Sequence, residues 1–236
     1  MGIEKLMEKG MNPTTVHNVL NRVERNRHKS EMPFIIKIRR AQTGGWITVV
    51  LGQQRYFSLN PMRALFIGRF QPFHVGHLSV IQKALQVEGE LMIGIGSASD
   101  NFSAANPFTC SERIQMIEAA LTEAGIPKNL WSVYPVPNIE NYGLWPQHVE
   151  MFIPPFVRVY TGSDVVKKLF EEYNKKLASP YEIVTVTKEL RVSSTDIRDR
   201  MLKKRKWEYL VPDSVARLIH EWGGMERLAA VQEATK

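Results

Sequence analysis

From residue 64 onward, short apolar runs alternate with amphipathic stretches of helical period, and that alternation confines the chain to a narrow set of folds. Ala64–Gly68 (ALFIG) and Leu91–Gly96 (LMIGIG) are continuously apolar, as strands buried on both faces must be. Between them, Gly76–Val87 puts Leu78, Ile81 and Leu85 on one helical face. Ser132–Val136, Val157–Thr161 and Glu182–Val186 supply three more strands. Thr109 and Glu112 have the spacing of a capping box, opening a helix that runs to Glu123 and closes at Gly125. Further helices are expected at Asp164–Tyr173, Thr195–Lys204 and Asp213–Trp222, the last ending the ordered pattern. The class is therefore α/β, a doubly wound parallel sheet with ligands at the C-terminal ends of its strands.

The first 61 residues read differently. Asn12 and Pro13 open a helix over Thr14–Arg27, and PFIIKIRR and WITVVLG form a hairpin about AQTGG, with RYFSL a third extended run. This segment holds +6 of the net charge of +7. Helix and basic hairpin resemble the second half of a winged-helix module. That reading puts Lys37, Arg39 and Arg40 near phosphates and gives residues 1–61 a weak nucleic-acid contact. The alternative is a solvated basic surface. The expected domains are 1–61, a basic extension, and 62–236, an α/β body. A chain of 236 residues suits one or two domains at ~150 residues each.

Composition removes several classes. A single cysteine, Cys110, excludes an internal disulfide and any zinc site built on several thiolates. No apolar run is long enough to span a bilayer, and MGIEKLMEKG lacks the apolar stretch of a signal peptide. The cytoplasm is the expected location.

The most informative stretch is Gly68-Arg69-Phe70-Gln71-Pro72-Phe73-His74-Val75-Gly76-His77, which begins where the first strand of the body ends and stops where its helix begins. A helix N-terminus favours an anion through its unpaired N–H groups and its dipole. His74 and His77 add imidazole donors, Arg69 adds a permanent charge, and Gly76 leaves room for close approach. The loop reads as a triphosphate cradle, although neither GxxxxGK[ST] nor GxGxxG is present. Near the other end, Ser193-Ser194-Thr195-Asp196-Ile197-Arg198 sets hydroxyls and an arginine at a second helix start.

H-x-G-H with a distal S-S-T-x-I-R resembles the HxGH nucleotidyltransferase superfamily, and more narrowly the archaeal nicotinamide-nucleotide adenylyltransferases. IGIGSA (93–98), NPFTCSER (106–113), the tryptophan of GLW (143–145), YTGSD (160–164), LVPDSV (210–215) and GGMERL (223–228) carry the same resemblance, which covers residue 62 to about 230. It implies a Rossmann-like fold and transfer of AMP from ATP to nicotinamide mononucleotide, with release of pyrophosphate. It also implies Mg²⁺ accompanying ATP, held by phosphates and water, so no metal ligands are assigned. His74, His77, Arg69 and Arg198 are implied as catalytic. Gly68, Phe70, Gly76, Gly162, Ser193, Ser194, Thr195 and Trp145 are implied as nucleotide-binding. Trp145 would stack on a cationic pyridinium ring, with Tyr142 and His148 nearby; the other reading of Trp145 is a core residue in a helix. The family often forms symmetric oligomers, so a homo-oligomer is expected.

Ala105, Asn138 and Tyr142 depart from the family pattern, in which a basic residue, an aspartate and an asparagine stand at or near those places. Other acceptors therefore stay open: flavin mononucleotide, phosphopantetheine, or a CTP-dependent reaction. So does a nucleotide-sensing DNA-binding regulator.

Overall fold

A computed structural model describes residues 36–40, 47–51, 56–58, 63–186 and 192–234, the first three segments as backbone only. The chain divides into two compact units, Met1–Leu59 and Asn60–Lys236. In the first, β1 (Ile36–Arg40), β2 (Ile47–Leu51) and β3 (Tyr56–Ser58) form an antiparallel sheet in that order, with Ile38 opposite Val49 and Val49 opposite Phe57. The helix expected at Thr14–Arg27 lies outside the described residues.

The second unit is built on five parallel strands: β4 (Ala64–Gly68), β5 (Leu91–Ile95), β6 (Trp131–Pro135), β7 (Arg158–Thr161) and β8 (Glu182–Thr185). Their order is β6-β5-β4-β7-β8, so the winding direction reverses at β4. Such a reversal opens a crevice at the C-terminal strand ends, because the flanking connections leave to opposite sides. The helices are α1 (Val75–Leu85), α2 (Cys110–Glu123), α3 (Trp145–Phe152), α4 (Asp164–Asn174), α5 (Ser194–Leu202), α6 (Asp213–Glu221) and α7 (Gly224–Glu233).

Side chains alternate across the sheet. Phe66, Ile93 and Tyr160 face one layer with Ile81, Met116, Ile197, Trp207 and Ile219. Leu65, Ile67, Met92 and Val159 face the other, with Trp145, Val149 and Phe170. Both faces are covered, which is why the strands read as unbroken apolar runs.

The caps anticipated for α2 are present. Thr109 Oγ1 accepts from the Glu112 amide at 3.2 Å, and Glu112 Oε2 accepts from the Thr109 amide at 2.8 Å. Gly125 sits at φ +68°, ending the helix. Two helices exceed the sequence expectation. α3 forms where only Trp145 had been considered helical. α7 continues past Trp222, after Gly223 turns the chain at φ +60°.

Candidate active site

The loop leaving β4 is built from inside outward. Phe70 is buried at φ +53°, and its ring covers Gly68, where an added Cβ would lie 3.1 Å from Phe70 Cζ. A side chain at 68 would crowd this ring, which would have to give by a few tenths of an ångström. Gln71, 1% exposed, donates from Nε2 to the Phe108 carbonyl at 2.8 Å and accepts from the Phe108 amide at 2.9 Å. This two-way clamp fixes the loop to the segment entering α2. The Gln71-Pro72 peptide is cis.

At the start of α1, His74 is the N-cap and His77 the third helical residue. Their rings stack with centroids 3.5 Å apart. His77 Nδ1 accepts from the His74 amide at 3.2 Å, and His74 Nδ1 accepts from the His77 amide at 3.3 Å. A nitrogen that accepts an N–H carries no proton, so each neutral ring bears its proton on Nε2 and presents a donor. Phe66, Phe70 and Phe73 surround His77, with centroids 6.1, 4.8 and 5.4 Å away. Burial in that cage, with the neighbouring His74 second, holds the His77 pKa well below the ordinary histidine value. A Cβ at Gly76 would lie 2.9 Å from Val192 Cγ1 and 3.0 Å from the His74 ring, so any other residue would push on Val192 and the His74 ring.

The distal motif is tied to this loop directly. Ser194 Oγ donates to the Pro72 carbonyl at 3.0 Å, and Arg198 Nη1 donates to the Gln71 carbonyl at 2.8 Å. Ser193 caps α5, accepting from the Asp196 amide at 3.1 Å. That leaves the Ser194 and Thr195 amides, which no carbonyl inside the helix can satisfy. Two helix N-termini thus open onto one crevice.

The crevice holds about 400 Å³. Gly68, Arg69, Phe70, His74, Gly76, His77, Gly162, Ser193, Ser194, Thr195 and Arg198 all line it. A Cβ at Gly162 would meet nothing within 4 Å, so the fold itself does not require glycine there. Lys83 joins the lining from α1, in the helical stripe Gly76, Ser79, Val80, Lys83. Among the described residues, no Asp or Glu lines the crevice. The Arg198 pKa is lowered, first by burial and then by the charge of Arg69. Like charges gathered without a carboxylate are the signature of a polyanion site.

Trp145 is the exception. It is buried beneath α3 on the far face of the sheet, edge-on to Phe170 at 6.0 Å, and does not line the crevice. Its ring packs within the core cluster of that face. Tyr142 is exposed, and His148 Nε2 contacts the Pro137 carbonyl at 2.9 Å with its ring against Phe152. Neither lines the crevice. Sequence reasoning did not single out Gln71 or Lys83. The helical stripe would have found Lys83, whereas no local pattern announces a glutamine that clamps a backbone 37 residues away.

No group of three or more His, Cys, Asp or Glu that could hold a metal occurs among the described residues. No helix there is long and apolar enough to cross a membrane.

The sequence pattern of the cytidylyltransferase-like family matches residues 65–200. A nicotinamide-nucleotide adenylyltransferase of Thermococcus sibiricus is 40% identical over 167 residues, covering 71% of this chain and 88% of its own. The protein of that name from Archaeoglobus fulgidus is 42% identical over 171 residues, covering 71% and 95%. In fold, the chain is similar to a bifunctional NMN adenylyltransferase/ADP ribose pyrophosphatase of Francisella tularensis. That structure has a TM-score of 0.59 at 23% identity, over 72% of this chain and 53% of that one.

Proposed function

This chain belongs to the cytidylyltransferase-like family, among the nicotinamide-nucleotide adenylyltransferases, and from that premise we propose that it transfers AMP from ATP to nicotinamide mononucleotide, forming NAD⁺ and pyrophosphate. The observation that carries the reading is the joining of the His74–His77 pair to Ser194 and Arg198 across one crevice lined by cations.

The attacking group is a phosphate oxygen of the mononucleotide, already anionic at neutral pH. It bonds to the α-phosphorus of ATP while the bond to the bridging β-oxygen breaks, and pyrophosphate leaves with that electron pair. No protein base or nucleophile is needed, so catalysis reduces to alignment and charge stabilisation. His77 Nε2–H and the first amides of α1 stabilise charge growing on the α-phosphate. Arg69, Arg198 and the first amides of α5 hold the β- and γ-phosphates. His74 contributes its own donor and keeps the His77 ring oriented. Gly162 leaves room for the nucleoside.

Among the described residues the crevice offers no carboxylates, so Mg²⁺ would enter as the counter-ion of substrate ATP, held by phosphate oxygens and water. We assign residues 1–61 a weak, electrostatic contact with nucleic acid, supported by their +6 charge.

The test is to incubate the full chain with ATP, Mg²⁺ and a panel of phosphorylated acceptors, then identify the products by mass. NAD⁺ from nicotinamide mononucleotide is expected. A far higher kcat/KM for flavin mononucleotide or phosphopantetheine would replace the acceptor and keep the chemistry.

A further inference from the structure

Arg113, in the first turns of α2, is fully buried, and among the described residues every hydrogen bond it makes goes to a main-chain carbonyl. Nη1 donates to the Arg69 carbonyl at 3.0 Å and the Gly96 carbonyl at 2.8 Å. Nη2 donates to the Ser97 carbonyl at 2.9 Å, and Nε to the Thr109 carbonyl at 3.3 Å. One side chain therefore grips the loop leaving β4, the loop leaving β5 and the N-cap of α2. A buried cation without a carboxylate partner is expensive, and an apolar side chain would fill the space at lower cost. Burial accordingly pushes the guanidinium pKa down, with Arg69 acting in the same direction against Cys110 and Asp100.

The grip extends further. Ser97, at φ +52°, donates from Oγ to Asn138 Oδ1 at 3.1 Å, and the Asn138 side-chain amide donates to the Asp100 carboxylate. The Asn138 amide also points at Ser99 Oγ, 3.4 Å away. Arg113 thus stands between the carbonyl of a crevice arginine and a polar cluster that reaches the loop beyond β6.

We propose that Arg113 is a positioning residue, which ties the phosphate loop after β4 to the Ser97–Asn138 cluster after β5 and β6 and so holds one relative geometry across the strand ends during adenylyl transfer. The proposal rests on the adenylyltransferase reading only for its kinetic consequence. The guanidinium fork is essential to it, because an ammonium radiates its donors from a single atom and cannot reach carbonyls on three segments.

The test uses the full-length protein, the variants Arg113→Lys and Arg113→Met, and hydrogen-exchange mass spectrometry without substrate. In Arg113→Lys, peptides spanning 68–72 and 96–101 should exchange together at least about tenfold faster, while peptides from β8 and α6 stay at the parental rate. In the same preparations kcat should fall roughly 10–100-fold, the scale of a small misalignment, with the KM for ATP changed far less. Parental exchange in either loop overturns the proposal. A uniform rise across the whole unit overturns it too, since Arg113 would then only hold the fold together. Lysine restoring kcat where methionine does not would show that charge matters and the fork does not. Asn138 lies on the exposed side of the cluster, so Asn138→Ala serves if both variants fail to fold. It should loosen 96–101 and lower kcat without raising the KM for ATP, and unchanged kcat there counts against the tie. A parent chain that forms no NAD⁺ would sink the reading of function, leaving the exchange experiment to decide on Arg113.

Discussion

The rings of His74 and His77 lie face to face, 18° from parallel, and each closes the backbone amide of the other residue. In the proposed mechanism a helix cap and a pair of phosphate donors are thus the same two side chains. The cap needs each Nδ1 unprotonated, whereas Nε2–H remains a donor in either charge state. Protonating either Nδ1 would break a cap, and protonating both would set two cations against each other.

The first consequence is a pH dependence of stability. The folded-state pKa of His77 is depressed below its unfolded value of about 6.5, so between those two values the unfolded chain binds more protons. Stability should be full above pH ~6.5 and fall as the pH drops through that window. The measurement is the thermal midpoint of parent and His77→Asn from pH 5 to 8. The gap between the curves isolates this residue from the other five histidines. Parallel curves would mean the proton goes elsewhere.

The second concerns turnover. Removing a preorganised donor from a site where charge develops costs about 10²–10³ in kcat, so His77→Ala should lose that much, with the KM for ATP less affected. Circular dichroism matching the parent must accompany the assay, because His77 also helps close the helix. Near-normal turnover would restrict His77 to capping.

A third concerns the ion pair that holds α7 to the start of α2. Arg227 Nη1 reaches both oxygens of Glu112, at 2.7 and 2.8 Å, while Glu112 also completes the capping box of α2. The pair is mostly buried, and it anchors α7. Arg227→Met should cost about 1–3 kcal/mol. In a domain of this size that is a loss of roughly 2–4 °C per kcal/mol in thermal midpoint. Activity at 25 °C should be unchanged, since neither residue lines the crevice. A loss of kcat without a loss of stability would place α7 in the mechanism.

A fourth separates the two units. A chain of residues 62–236 should keep adenylyl transfer near that of the full protein and lose binding to double-stranded DNA, because +6 of the +7 charge is removed. For the full chain, that binding should be micromolar at best and weaken steeply with salt, as phosphate neutralisation requires. Inactivity of the shortened chain would show that the first unit completes the second. No DNA binding by the full chain at low salt would remove nucleic acid as its partner.

The α/β class was legible because both faces of the sheet are covered, which leaves the strands as unbroken apolar runs at 64–68 and 91–95. The Thr109–Glu112 box and the strand-to-helix junction at H-x-G-H were legible because caps and strand ends are local signals. Three kinds of feature were not. α7 begins after a glycine in the left-handed region, which reads as an end and not as a corner. Trp145 sits in an eight-residue helix, little more than two turns, so its apolar face has no room to repeat along the chain. Gln71 and Arg113 act on carbonyls and amides far along the chain, and main-chain partners leave no trace in residue identity. For the same reason the second phosphate motif could be named from sequence, but its attachment to Pro72 and Gln71 could not.

That attachment also constrains when the crevice comes into being. The hydrogen bonds that finish its wall join residues 122 and 127 positions apart, so the loop after β4 stays incomplete until α5 has been made and docked. A nascent chain still lacking its final forty or so residues holds the histidines but not the opposing wall. Contacts so distant in sequence form late, after the loop-closure entropy between them has been overcome. In the proposed function the nucleotide site is therefore complete only in the finished unit. Bound ATP draws the whole of it toward the native state, including helices it never touches.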